Sequence, residues 1–116
     1  MHEMGTVLAV LDTADKIIEE NGLSSIESIT LEVGEVSGIL PEFLYKCWGF
    51  AVTRSKYAHD AELIIEMLPA VTACNDCGKE YETVTYGRTC PYCSSGNTVL
   101  ICGNEYNIKE ITAASQ

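Results

Sequence analysis

Two groups of residues in this chain can ligate metal, and they suit different ions. The chain starts Met1-His2-Glu3, with a histidine in second place. The Met1 amine, the His2 amide nitrogen and the His2 imidazole can close on one ion through fused chelate rings. If the amide loses its proton, that set favours a square-planar or tetragonal ion, Ni(II) or Cu(II) rather than zinc. Glu3 follows as a possible carboxylate ligand. Further on, Cys74-x-x-Cys77 and Cys90-x-x-Cys93 offer four thiolates, the set that suits tetrahedral zinc.

The cysteine spacing is the more specific of the two signals. Two residues between cysteines let a tight turn present both sulfurs to one ion, with backbone amides donating to the thiolates. Turn-forming residues sit where such knuckles need them: Gly78 after the first, Pro91 inside the second, Ser94-Ser95-Gly96 after it. Four thiolates leave no open coordination position, so an ion held there staples the fold rather than catalysing. Iron competes with zinc, because Cys-x-x-Cys-Gly with a later Cys-Pro-x-Cys also resembles rubredoxin knuckles, and sulfur ligands alone do not discriminate. A thioredoxin-type redox role fits less well, since neither knuckle starts a helix. Cys47, beside Trp48, reads as a buried apolar cysteine, and Cys102 as strand packing rather than a fifth ligand. His59, followed by Asp60 in a polar loop, reads as solvent-facing.

The elements that must position these ligands follow from periodicity. Met4, Val7, Leu8, Leu11, Ala14 and Ile18 keep helical spacing, and Asn21-Gly22 terminates that helix. A helix beginning at the N-terminal tripeptide would fix its position, although the positive end of the helix dipole opposes a cation. Ile29, Leu31 and Val33 alternate with Ser28, Thr30 and Glu32, the pattern of a half-buried strand. A loop follows, and Pro41 opens a second helix whose inner face carries Leu44, Cys47, Trp48 and Ala51. Leu63, Ile65 and Met67 alternate with Glu62 and Glu66 in a second strand that Pro69 ends. Residues 71–100 are poor in aliphatics and cannot build a core alone, so metal must hold them. A third strand around residues 105–111 breaks strict alternation, which suggests a bulge or an end to pairing. The expected fold is α+β: a small mixed three-stranded sheet with two helices on one face, plus an inserted zinc ribbon. Residues 1–69 with 101–116 form the first domain and residues 70–100 the ribbon.

Composition narrows the function. Seventeen acidic against seven basic residues give a formal charge of −10. Such a surface repels phosphate backbones and anionic membranes, so no nucleic-acid or membrane partner is expected. The ribbon offers only Lys79 and Arg88 as cations, against a zinc-ribbon nucleic-acid module. No apolar run approaches the ~20 residues of a membrane span, and no secretory leader is visible. Paired cysteines in a chain with ample apolar residues point to a reducing cytoplasm. Disorder is expected only in the Ala113-Ala114-Ser115-Gln116 tail. No nucleophile–base pair or phosphate-cradling loop is readable, so a non-enzyme is expected.

Met1-His2-Glu3-Met4, Leu31-Glu32-Val33-Gly34-Glu35-Val36-Ser37-Gly38, Pro41-Glu42-Phe43-Leu44, the two cysteine pairs and Gly103-Asn104-Glu105 together resemble the HypA family of hydrogenase nickel-incorporation proteins. The likeness covers essentially the whole chain. It implies a nickel metallochaperone that binds Ni(II) through Met1 and His2, with Glu3 nearby, and zinc through Cys74, Cys77, Cys90 and Cys93. It also implies work with a partner GTPase, HypB, to load the large subunit of [NiFe] hydrogenase, and in some organisms service to urease. Two departures stand out: position 5 is glycine where the family commonly has a small polar residue, and the cysteine module contains no histidine. A rubredoxin-like electron carrier remains the rival reading, but it leaves the two-helix domain and His2 without a role. Glu35 and Glu42 are expected to draw a basic face of the partner.

Overall fold

The structure, a computed structural model, describes residues 2–114, with side chains from Glu3 onward. Helix α1 (His2–Glu20) forms where Val7, Leu11, Ala14 and Ile18 recur at three- and four-residue spacing, and all four are buried. Its end is set by Gly22 at φ +66. Left-handed backbone there lets the Leu23 N–H reach the Ile18 carbonyl (3.1 Å) and the Gly22 N–H reach that of Glu19 (3.3 Å), which satisfies the last carbonyls of the helix.

Strand β1 (Ser25–Gly34) leads to α2 (Pro41–Ala51), a short 3-10 turn (Val52–Arg54) and β2 (Glu62–Leu68). With the last strand, β6 (Tyr106–Ala114), these make a three-stranded sheet in the order β2-β1-β6. The Ser24 N–H bonds to the Ala114 carbonyl (3.0 Å) and the Gly34 N–H to that of Glu105 (2.9 Å), so β1 and β6 run in opposite directions. The Glu35 N–H meets the Leu68 carbonyl (2.9 Å), which puts the C-terminal ends of β1 and β2 side by side, as a parallel pair requires. Helix α2 is the crossover between them, and the sheet is mixed.

Ile29, Leu31 and Val33 on β1 are fully buried, as are Val7 and Ala14 of α1 and Leu44 and Ala51 of α2. Trp48 joins them and donates its indole N–H to the Ala61 carbonyl at 2.9 Å. Burial of such side chains stabilises by about 1.5–3 kcal/mol each. Asp15, in the C-terminal half of α1, ties that helix to the segment that follows α2. Its carboxylate accepts from the Ser55 hydroxyl (2.8 Å) and from the backbone N–H groups of Lys56 (3.0 Å) and Tyr57 (3.2 Å).

Three details differ from the alternating pattern. Thr30 is buried along with Leu31, because β1 is the central strand and is flanked on both edges. Met67, near the end of edge strand β2, is 47% exposed rather than inward. Strand β6 does not stop near Ile111 but runs on to Ala114, whose carbonyl takes both the N–H and the hydroxyl of Ser24. Residues 113 and 114 of the expected disordered tail therefore belong to the sheet.

The cysteine segment carries a separate antiparallel sheet in the order β4-β3-β5, built from β3 (Val71–Cys74), β4 (Glu80–Glu82) and β5 (Thr98–Cys102). A single helical turn, α3 (Thr83–Tyr86), follows β4. The chain divides into two compact units, one of Met1–Leu31, Ile39–Glu66 and Asn107–Gln116, the other of Glu32–Gly38 and Met67–Tyr106. The second unit is thus larger than residues 70–100. Residues 32–38 belong to it because Glu35 accepts the Ala70 N–H (2.7 Å) and the Val36 N–H reaches the Gly103 carbonyl (2.8 Å). A Cβ on Gly34 would collide with the Gly103 carbonyl, and one on Gly103 (φ +116) with the Ala70 Cα. Two glycines are what let these backbones touch.

Gly49, in the exposed face of α2, is the opposite case: a Cβ there would meet nothing within 4 Å. Gly34→Ala is expected to lower the stability of the metal-loaded protein by about 1–3 kcal/mol through overpacking. Gly49→Ala is expected to raise it by about 0.5–1 kcal/mol, the helical cost of glycine. Urea unfolding midpoints that do not move in opposite directions would show that the two glycines are not so distinguished.

Candidate metal centre

Each cysteine pair is held by the same backbone device. In the first knuckle the Gly78 N–H bonds to the Cys74 carbonyl (2.9 Å) and the Cys74 N–H to the Lys79 carbonyl (2.9 Å). In the second, the Ser94 N–H bonds to the Cys90 carbonyl (2.9 Å) and the Cys90 N–H to the Ser95 carbonyl (2.9 Å). The fourth residue after each leading cysteine adopts left-handed backbone, Gly78 at φ +76 and Ser94 at φ +63. Amides also point at sulfur: Cys77 N–H to Cys74 Sγ (3.5 Å) and Tyr92 N–H to Cys90 Sγ (3.4 Å).

The two turns bring all four Sγ atoms of Cys74, Cys77, Cys90 and Cys93 within 4.8 Å of one another. Cys74 and Cys93 are 3.5 Å apart, Cys77 and Cys90 3.6 Å. A tetrahedral ion with metal–sulfur bonds of about 2.3 Å needs sulfur–sulfur edges of about 3.8 Å, so the cage fits such an ion. Cys74 and Cys90 are buried, while Cys77 and Cys93 lie at the surface. No fifth or open ligand position is provided by these residues. Cys102 stands at the end of β5 with its sulfur 3.6 Å from the Pro69 carbonyl and outside the cluster. Cys47 is buried on α2.

The electrostatics of the cage call for a cation. The Cys77 N–H stabilises the Cys74 thiolate and brings that thiol down to about 7. The Ser95 N–H favours a Cys93 thiolate too, yet the adjoining Cys74 sulfur and burial outweigh it and hold Cys93 up at about 12. Sulfurs this close cannot all ionise unless a positive ion shares them.

Around the cage lies a polar network that the cysteine spacing does not announce. Asp76 accepts from the Ser95 hydroxyl and from the Asn97 side-chain amide (3.3 Å), and Asn75 donates to Asn97 (3.1 Å). These bonds join the first knuckle to the residues after the second, so the two turns are placed relative to each other. Lys79 sits over the Tyr92 ring at 4.7 Å and brings a positive charge to the exposed side of both knuckles. Short polar residues inside the first pair and after the second are the only sequence signal for this network.

The N-terminal ligand set is only partly within view. Met1 and the His2 side chain lie outside the described residues. The backbone of His2 is already helical, and Glu3 lies in the first turn of α1. His59 is exposed, beside Asp60, and is not part of any metal-competent group among the described residues.

Two outcomes follow from the cage. Ser94→Gly should stabilise the metal-loaded protein by about 0.5–1 kcal/mol by relieving left-handed strain, whereas Gly78→Ala should cost about 1–2 kcal/mol. Equal unfolding midpoints for both variants would contradict the matched-turn account. Metal affinity should fall as pH falls, because each ion displaces protons from thiols, and fall more steeply below pH 7, where Cys74 takes up its proton as well. Release followed with a chromophoric chelator between pH 8 and 5 checks this; a pH-independent profile would contradict it.

Comparison with known proteins places the chain. The family profile described as hydrogenase/urease nickel incorporation, metallochaperone, hypA matches residues 1–113. The hydrogenase maturation factor HypA of Chlorobium luteolum is 36% identical over 111 residues, covering 96% of this chain and 94% of its own. That of Aquifex aeolicus is 32% identical over 111 residues, 96% of each chain. The solution structure of the Ni metallochaperone HypA from Helicobacter pylori superposes with a TM-score of 0.71 at 21% identity, over 98% of both chains. A second solution structure, of HypA protein, gives 0.75 at 21% identity, over 100% of this chain and 98% of its own. At those identities the structural likeness is one of fold. On the profile match and the curated relatives, the chain belongs to the HypA family of hydrogenase/urease nickel-incorporation metallochaperones.

Proposed function

We propose that this metallochaperone takes up Ni(II) through Met1, His2 and Glu3 and keeps a structural Zn(II) on Cys74, Cys77, Cys90 and Cys93. It would then hand nickel on during maturation of [NiFe] hydrogenase, or of urease. The observation that carries this reading is the family match from residue 1, together with a second, chemically distinct ligand set in the same chain. His2 and Glu3 occupy the first turn of α1, where backbone N–H groups have no acceptor inside the helix. The His2 amide nitrogen is therefore not committed to the helix ladder, and its imidazole and Glu3 can join it around an ion. A site at a helix start is open on one side, so an incoming ligand can reach the metal without unfolding the domain.

The four-sulfur cage has the opposite character. Its donor set suits zinc, and with every position filled the ion organises residues 67–106 rather than reacting. Iron in the same cage, the rubredoxin-like alternative, would colour the protein, so a colourless preparation removes it. This reading makes the chain a carrier and not an enzyme. Its partners would be the GTPase HypB and the hydrogenase large subunit, in the cytoplasm. Among the described residues no helix is long and apolar enough to cross a membrane. Glu35, expected as a docking charge, accepts the Ala70 N–H and so has a structural duty. Glu42 on α2 is left to attract a basic partner surface.

Nickel titration of the zinc-loaded protein tests the N-terminal site. His2→Ala should weaken nickel binding at least tenfold, about 1.4 kcal/mol. An N-terminal peptide extension should do nearly the same, because it removes the free amine and leaves every side chain intact. Binding should also weaken as pH falls, since the imidazole (reference pKa about 6.5) and the amine (about 8) must lose protons to ligate. Unchanged affinity in both variants would remove Met1 and His2 as ligands.

A further inference from the structure

We propose that the four-sulfur cage is also a modification site for hydrogen peroxide, which converts its thiolates into two disulfides, Cys74–Cys93 and Cys77–Cys90; this rests on the assignment of zinc to the cage. The two disulfides expel the ion and join the knuckles in its place. Burial sorts the sulfurs first. Cys74 and Cys90, which lead each knuckle, are 2% and 1% exposed, whereas Cys77 and Cys93, which close them, lie at the surface. A small oxidant in solvent therefore meets Cys77 and Cys93 before their buried neighbours. Cys47 is buried on α2 and Cys102 stands outside the cluster, so neither belongs to this chemistry.

Proximity supplies the partner for each exposed sulfur. Cys93 Sγ lies 3.5 Å from Cys74 Sγ, and Cys77 Sγ lies 3.6 Å from Cys90 Sγ. Each contact sets one exposed sulfur against one buried sulfur, and each crosses from one knuckle to the other. Closing to a disulfide of about 2.05 Å takes side-chain rotation rather than a new fold. Bonds outside the cage keep the sulfurs opposed while one metal–sulfur bond is lost. Asp76 accepts from Ser95 and Asn97, and the Asn75 N–H meets the Asn97 carbonyl (2.9 Å). At each pair the exposed thiolate attacks peroxide, forming a sulfur–oxygen bond, breaking the oxygen–oxygen bond and releasing hydroxide. The buried thiolate then attacks the resulting sulfenic acid, forming the sulfur–sulfur bond and expelling a second hydroxide. Over both pairs, four thiolates give four electrons to two peroxides, four hydroxides leave, and the ion departs as the free dication. Disulfides within a knuckle would leave the two knuckles unconnected. The cross-knuckle bonds link residues 19 and 13 apart in sequence, so they constrain the segment as the ion did.

The test treats the zinc-loaded full chain, labelled with nitrogen-15, with hydrogen peroxide. A chromophoric chelator follows zinc, and mass spectrometry of acid-quenched proteolytic peptides maps the disulfides. Zinc should be lost as Cys74–Cys93 and Cys77–Cys90 form, and dithiothreitol with added zinc should reverse both changes. Amide resonances of residues 67–106 should stay dispersed in the oxidised protein and collapse in reduced protein stripped by chelator. Cys47→Ala combined with Cys102→Ala should alter neither the pairing nor the loss of zinc. Pairing within the knuckles, sulfinic acids in place of disulfides, zinc loss that depends on Cys102, or an oxidised unit as collapsed as the stripped one would each overturn the inference. A cage that takes up no zinc before peroxide is added would overturn the proposed function as well, so the two failures are distinguishable.

Discussion

Sulfur crowded against sulfur is the constraint on which the second unit rests. Its own buried apolar cluster amounts to Tyr81 with Cys74 and Cys90, far too little to order residues 67–106. The four Sγ atoms stand too close to ionise together unless a cation lies between them. Everything nearby serves that geometry. Two matched turns present the sulfurs, left-handed residues close the turns, and Asp76 with Ser95 and Asn97 fixes one knuckle against the other. With an ion in the cage, the folding free energy of this unit would be largely metal-binding free energy.

The first unit needs no such staple, because it buries Ile29 and Leu31 of β1, Val7, Leu11, Ala14 and Ile18 of α1, and Leu44 and Ala51 of α2. This difference suits a carrier. A domain that is stable by packing alone can display a ligand set at the start of α1 without depending on the cargo for its fold. The closed cage, by contrast, is unsuited to delivery, since release from it would dismantle the structure around it. On the proposed function, uptake and release belong at the N-terminal donor set and structural support at the four-sulfur cage.

Much of this was readable from residue order, and what was not has a common cause. Helix α1 was announced by Val7, Leu11, Ala14 and Ile18 and by the glycine that ends it, α2 by Pro41 and its apolar face, the cage by two knuckles. These are local signals, carried within a few residues. The assignment of Glu32–Gly38 to the second unit was not local: it depends on Gly34 touching Gly103, and Glu35 bonding to Ala70, across long stretches of chain. Alternation fails near Ile111, so residue order understates strand β6, whose pairing continues through backbone bonds that no side-chain pattern encodes. Thr30 read as solvent-facing because alternation cannot reveal that its strand is central. Ser94 occupies a left-handed position where glycine is the expected residue, so its role emerged only beside its counterpart Gly78.

The central claim is that one chain holds two metals by different chemistries. X-ray absorption of the protein carrying both nickel and zinc tests it most directly, because each metal edge reports its own neighbours. The account predicts a zinc edge with sulfur scatterers alone, near 2.3 Å, and a nickel edge with only nitrogen and oxygen neighbours. Sulfur around nickel, or nitrogen and oxygen replacing sulfur around zinc, would contradict it.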